Sequence, residues 1–333
     1  AKPQAAEGQS STIDSVHYSL SPGIRQTDAS LQVSMRTSRG GAHVFHLPAG
    51  ARVRSLTIDG AERPVHNSGR DLHISLQPGA ANVRVAFDLP IGMSALFQVP
   101  PLRLDGAVVN ARVAVKLVSD RWLLFLHGPA WGPAILFWGY LAFALLVASL
   151  LSRIPLSPLR WYEWMLLALG LTQIDAFESL AVVAFFFLFA LRARTTELKP
   201  WKHDAMQLGL LLTTLWAAVA LFDAVEHGLL VHPDMQVSGG GYDGSQLQWY
   251  VDRTDGSLPE PSLFSAPLWV YRALMLLWSL WLASRLLRWL PWAFRAFVAG
   301  GAWKRGPKRP APPPPPWAAP PIAPPPPPSA AGG

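Results

Sequence analysis

The chain has 333 residues, half of them hydrophobic and only 15% charged, with a formal net charge of +7. That length leaves room for one soluble domain plus a small group of membrane helices. With no cysteine in it, disulfides, thiolate nucleophiles and Cys-ligated zinc are excluded.

Residues 1–14 are small and polar and are expected to be a disordered start. The chain opens on Ala1, with no initiator Met and no charged-then-apolar leader, so a removed signal peptide or a longer parent chain is expected. From 15 to 126 apolar residues alternate with polar ones in short runs. Leu31, Val33 and Met35 do so, as do Leu72, Ile74 and Leu76, then Val83, Val85 and Phe87, then Val113, Val115 and Leu117. Each run predicts a half-buried strand. Turn signals fall between them at Ser38–Gly41, Pro48–Gly50, Asp59-Gly60 and Pro78-Gly79. Strands at this spacing, with no helical pattern between them, predict an all-β, sandwich-like domain over 15–126.

The rest predicts a membrane α-helical bundle over 127–295. Trp122–Ser152 carries no formal charge if His127 is neutral, and a first span is expected over 132–152, opened by Gly132-Pro133. Further spans are expected over 206–230 and 267–290. Between the first two lies 161–191, two short apolar pieces separated by Asp175 and Glu178, neither reaching the usual spanning length of about 20 residues. Segments 153–160, 192–204 and 285–309 carry 2, 4 and 7 Lys or Arg, whereas 229–266 carries only Arg253. Positive-inside then puts the first three segments in the cytoplasm and the loop 231–266 outside. Both ends of 161–191 fall inside, so the segment is expected to be a helical hairpin, re-entrant or barely spanning. The alternative, an interfacial helix at 161–172 followed by one crossing, would move most of the basic residues outside. The N-terminal domain then lies outside, on the face opposite the basic segments. Residues 296–333, basic and then proline-rich, become a cytoplasmic tail.

Within the predicted bundle, Asp175 and Glu178 are the strongest functional candidates, since ionisable groups in membrane segments are costly and often serve ion or substrate paths. A solvated hairpin turn explains them equally well. Asp223, Glu226 and His227 share a helix face, but with His232 they match no zinc spacing, and no metal is expected. Arg272 is expected to pair with Asp223 or Glu226 across adjacent helices. Gly239, Gly241 and Gly244 satisfy a G-x-G-x-x-G spacing without the strand and helix that a dinucleotide would need, so no cofactor is expected. The β-domain histidines are scattered and expected at the surface, and no nucleophile elbow is present. The chain is therefore read as leaning away from an enzyme. Its expected partners are the lipid bilayer and an envelope protein, and nucleic acid is not among them.

Pro233-Asp234-Met235-Gln236, Trp249-Tyr250-x-Asp252-Arg253 and Val270-Tyr271-Arg272 with Leu274-Met275-Leu276 resemble a group of uncharacterised proteobacterial inner-membrane proteins. Gly128-Pro129, Gly132-Pro133 with Phe137-Trp138, and Gly170-Leu171-Thr172-Gln173 are similar as well. The likeness covers roughly 14–305, with the proline-rich tail outside it. Because those proteins are generally longer, the resemblance implies the C-terminal part of a larger envelope protein; it carries no activity and no functional residues. The expected role is an exported β-domain acting as an interaction or scaffold module on a helical anchor. The competing expectation is a transporter or intramembrane enzyme using Asp175 and Glu178.

Overall fold

The computed structural model describes residues 11–65, 67–129, 131–195, 200–238, 246–299 and 301. The glycine-spaced motif at 239–244 and nearly all of the tail lie outside them. A β-rich N-terminal region is followed by helices, three of them long and apolar.

The strands run β1 (Ser11–Pro22), β2 (Thr27–Thr37), β3 (Gly41–His46), β4 (Arg52–Ile58), β5 (Ala61–Arg63) and β6 (Asn67–Ser68). There follow β7 (Asp71–Leu76), β8 (Gly79–Leu89), β9 (Leu96–Gln98), β10 (Arg103–Leu104), β11 (Val108–Lys116), β12 (Arg121–His127) and β13 (Ala134–Ile135). The helices are α1 (Phe137–Arg153), α2 (Trp161–Leu171), α3 (Ala176–Arg194) and α4 (Pro200–Leu230). After α4 come β14 (Val237–Ser238), β15 (Gln246–Thr254), β16 (Ser262–Pro267) and α5 (Leu268–Val298).

A seven-stranded sheet of order β15-β11-β1-β2-β8-β4-β5 faces a four-stranded sheet, β10-β3-β7-β6. Tyr18, Leu31, Val85 and Phe87 of the first share one core with Phe45, Leu72 and Ile74 of the second. The alternating pattern is what places these side chains on a single face. Two boundaries differ from the sequence expectation. β1 begins at Ser11, inside the expected disordered start, because Ile13 is buried between Met35 of β2 and Val108 of β11. The segment read as an outer loop supplies β15 and β16. β15 pairs antiparallel with β11 along its length, and β16 joins β12 to β9. Leu247 and Trp249 of β15 are 0% and 2% exposed, so the β core is closed by residues that come after four helices in the chain. His43 also departs from expectation: it is buried, on the face opposite His46.

The apolar run expected as the first span divides. Ala134 and Ile135 pair with Ser238 and Val237, and the helix begins only at Phe137. Carbonyls of Gln236 and Met235 accept from the amides of Leu136 and Phe137, at 3.3 Å each, so two donors at the helix start are met by another segment. α2 and α3 run antiparallel: Trp164 packs on Phe186 and Phe187 with ring centroids 5.8 Å apart in both cases. At the far end of α3, Arg194 donates to the carbonyl of Pro155 before α2. α3 runs to 19 residues and is long and apolar enough to cross a membrane by itself. The apolar count had stopped short of Glu178 and Arg192, which the helix includes.

α5 buries a stripe of Tyr271, Met275, Trp278, Leu282 and Trp289, spaced as one helix face requires. Trp278 donates from Nε1 to the Leu166 carbonyl at 2.7 Å, and a Cβ at Gly170 would stand 1.8 Å from its ring. The absent side chain at Gly170 is therefore what lets α2 and α5 meet.

Candidate functional site

The helix ends nearest the β region meet it along β12 and the segment 231–238. Asp234 Oδ1 accepts the Gln236 amide at 2.8 Å, and Gln236 turns the chain back with φ of +48°. This turn buries Met235, whose sulfur accepts from Trp122 Nε1 at 3.2 Å. Trp122 in turn lies 5.2 Å from the Tyr271 ring, and the Tyr271 hydroxyl donates to Gln173 Oε1 at 2.8 Å. His232 reaches the Ser119 carbonyl at 2.7 Å, and the Leu268 amide donates to the Asp120 carbonyl at 2.8 Å. Strand, turn and three helices are thus tied at one level.

Under this junction lies a cleft of about 300 Å³ lined by Gln173, Asp175, Glu178, Asp223 and His227, with His232 and Asp234 at its rim. It adjoins a larger cleft of about 550 Å³ against Ser119, Arg121 and Trp122, the two sharing His232, Asp234 and Gln236. Four of the six residues singled out in the sequence come together here. Asp175 and Glu178 arrive from the start of α3, and Asp223 and His227 from the end of α4. The side chains of Asp175, Glu178 and Asp223 enter no described hydrogen bond or ion pair. His227 Nδ1 contacts its own helix carbonyl at Asp223, 2.9 Å away. Among the described residues no three His, Asp or Glu converge on a point that could hold a metal ion.

The other two residues lie elsewhere. Glu226 is exposed beside the cleft, and Arg272 is exposed on α5. The expected pairing of Arg272 with Asp223 or Glu226 is corrected: neither pair is among the described ion pairs. The contact between α4 and α5 at this level is Gly228 against Met275, where a Cβ would come within 2.1 Å of Met275 Cε. Arg272 follows buried Tyr271, turned about 100° from it round the helix, and stands on the exposed side of α5.

At the opposite end of the helices is a buried polar cluster that sequence reasoning missed. Arg192, His203 and Gln207 are 2%, 2% and 0% exposed. Arg192 Nη2 lies 2.9 Å from His203 Nε2 and donates to the Ala299 carbonyl, while Nη1 donates to Thr195 O at 3.0 Å. Gln207 donates to Phe297 O at 2.8 Å. The signal was present: Val182, Phe185, Phe189 and Arg192 continue one helical face. Nearby, Glu163 lies 3.4 Å from Arg285 and caps α2 through the Arg160 amide at 3.0 Å.

No family model and no curated protein matches the chain. Among solved structures it is similar to the M1 zinc metallopeptidase from Deinococcus radiodurans, at 13% identity and a TM-score of 0.28, over 38% of this chain and 36% of that one. The E323A mutant of that metallopeptidase gives 12% identity and a TM-score of 0.28, over 37% and 35%. The chain spans about a third of the length of these structures. A likeness of this size carries no argument about fold or function.

Proposed function

We propose that the chain is a multi-pass envelope membrane protein whose exported β region is an interaction or scaffold module carried on a helical anchor. The observation that supports this best is the outward face of the helices. Phe143, Leu215, Phe222, Leu277 and Leu287 are 63%, 66%, 67%, 65% and 77% exposed. In water, so much contiguous apolar surface would drive association; in lipid it is the expected exterior. The distribution of basic residues puts the inner ends of the helices in the cytoplasm and the β region in the periplasm of an inner membrane. β15 and β16 support a scaffold role, because they join the β region to the helices at two places in the chain rather than through one hinge. The resemblance to longer envelope proteins fits an upstream region that shares this task.

A second reading is favoured by the cleft. It gathers Asp175, Glu178, Asp223 and His227 where α3 and α4 face the β region, as a transporter or intramembrane enzyme would require. Crosslinking and pull-down from native membranes of the full-length protein, with D175N/E178Q alongside, separates the two. A stable protein partner retained by both forms supports the scaffold. Loss of the host phenotype in D175N/E178Q, with partner capture intact, overturns it in favour of the second reading.

A further inference from the structure

A third cavity adjoins the smaller cleft. It is a slot of about 220 Å³ between α1 and α3, floored by α2, with Phe143, Val147, Trp164, Leu171, Leu180 and Val183 among its walls. α1 packs chiefly on α2, and α3 on α4, so the two walls are held apart by the helices behind them. Thr172 lines both the slot and the polar cleft.

The size of the slot decides what can fill it. A 15 Å length of helix 10 Å across displaces roughly 1,200 Å³, more than the 730 Å³ of empty space in the slot and its mouth, so a partner helix does not fit within it. At about 30 Å³ for a water-sized group, that empty space takes on the order of twenty such groups, the bulk of one alkyl chain. Water is excluded by the walls, which offer almost no polar surface. The cleft at the end of the slot chooses the head. Asp175, Glu178, Asp223 and Asp234 line it and no Lys or Arg does. Arg121 in the adjoining cleft is occupied by Ser94 O and Ser265.

Resting on the reading that these helices cross a membrane, we propose that the slot holds an acyl chain of an amine-headed phospholipid, with its ammonium among the carboxylates of the cleft. Chain and head are recognised separately, so each can be removed separately. Ala144→Trp and Ala176→Trp fill the slot from α1 and from α3, leaving the carboxylates in place. D175N/E178Q/D223N removes three of the four carboxylates, leaving only Asp234, and leaves the slot open.

The full chain is extracted from a carbonate-washed membrane fraction and reconstituted in phosphatidylcholine nanodiscs. These carry trace spin-labelled phosphatidylethanolamine or phosphatidylglycerol, and the motionally restricted fraction is measured. The expected result is a preference for phosphatidylethanolamine of about fivefold, the scale of one exposed charge pairing. That preference should fall to about one in the triple variant, while both lipids lose their restricted fraction in each Trp variant. Equal retention of the two lipids by the unaltered protein overturns the head assignment. Undiminished retention in both Trp variants overturns the slot. A disulfide-linked dimer formed from Ala144→Cys or Leu180→Cys overturns it too, since a second copy would then be the occupant. Recovery of the chain in the carbonate supernatant would instead overturn the membrane reading itself.

Discussion

Gly132 lies against the indole of Trp249, so closely that a Cβ at position 132 would stand 2.3 Å from Trp249 Cδ1. The segment leading into α1 is thereby pressed onto β15, a strand more than a hundred residues later. Gly132→Ala should lower the melting temperature of the detergent-solubilised protein, by the equivalent of about 1–3 kcal/mol for overpacking a rigid site. Gly139→Ala, where a Cβ would meet nothing within 4 Å, should be neutral or gain up to about 1 kcal/mol from helix propensity.

A fragment of residues 15–126 should not fold to a native β domain. It lacks Ser11–Asp14 of β1, and without β15 the edge of β11 is bare and the site of Trp249 is empty. A chain of 11–127 joined by a flexible linker to 246–267 should give dispersed amide resonances, and 15–126 alone should not. Native dispersion in 15–126 alone would mean that β15 is peripheral.

How much of this was legible follows from where each pattern was written. Val83, Val85 and Phe87 declare their strand locally, with turn residues on both sides. Leu247, Trp249 and Val251 alternate in the same way, but their partner β11 lies over a hundred residues upstream and two apolar helices flank the segment, so the local pattern predicts a loop. For the cleft, the residue types were legible and their meeting was not. Asp175 and Asp223 share no local pattern, and only the packing of α3 on α4 brings them together. Arg272 failed for a related reason. Depth along a helix was inferred, whereas the side facing the neighbour was not.

Arg272 and Asp223 should therefore behave independently. In a cycle of R272M, D223N and the double variant, the losses in thermal stability should add within about 0.5 kcal/mol, as for sites that share no partner. The same is expected with E226Q. A coupling well above that would restore the ion pair.

His17 gives the β region a pH dependence. Burial first, and then the Arg112 guanidinium on the neighbouring strand, hold its imidazole below the ordinary value of 6.5. Below 6.5 the unfolded chain takes up a proton that the folded chain refuses, so stability is lost as pH falls from 6.5 toward the depressed folded value. His17→Gln should flatten that part of the curve measured by denaturant titration. Arg112→Gln removes the lesser cause and should leave most of the slope.

The last prediction concerns the buried end of α3. Arg192 has no described carboxylate partner; its donors go to His203 Nε2 and to the carbonyls of Thr195 and Ala299, the latter just past the end of α5. Those carbonyls carry the negative end of a helix dipole and favour a cation there. Arg192→Met leaves buried acceptors bare and should cost about 3 kcal/mol or more, counting hydrogen bonds to a charged group. His203→Phe strands one guanidinium donor and should cost about 1–3 kcal/mol. If the pair acts as a unit, the double variant loses clearly less than the sum, because it leaves neither partner unmatched. Strict additivity in thermal unfolding would show that the two side chains are independent and that Arg192 does not couple α3 to α4 through His203.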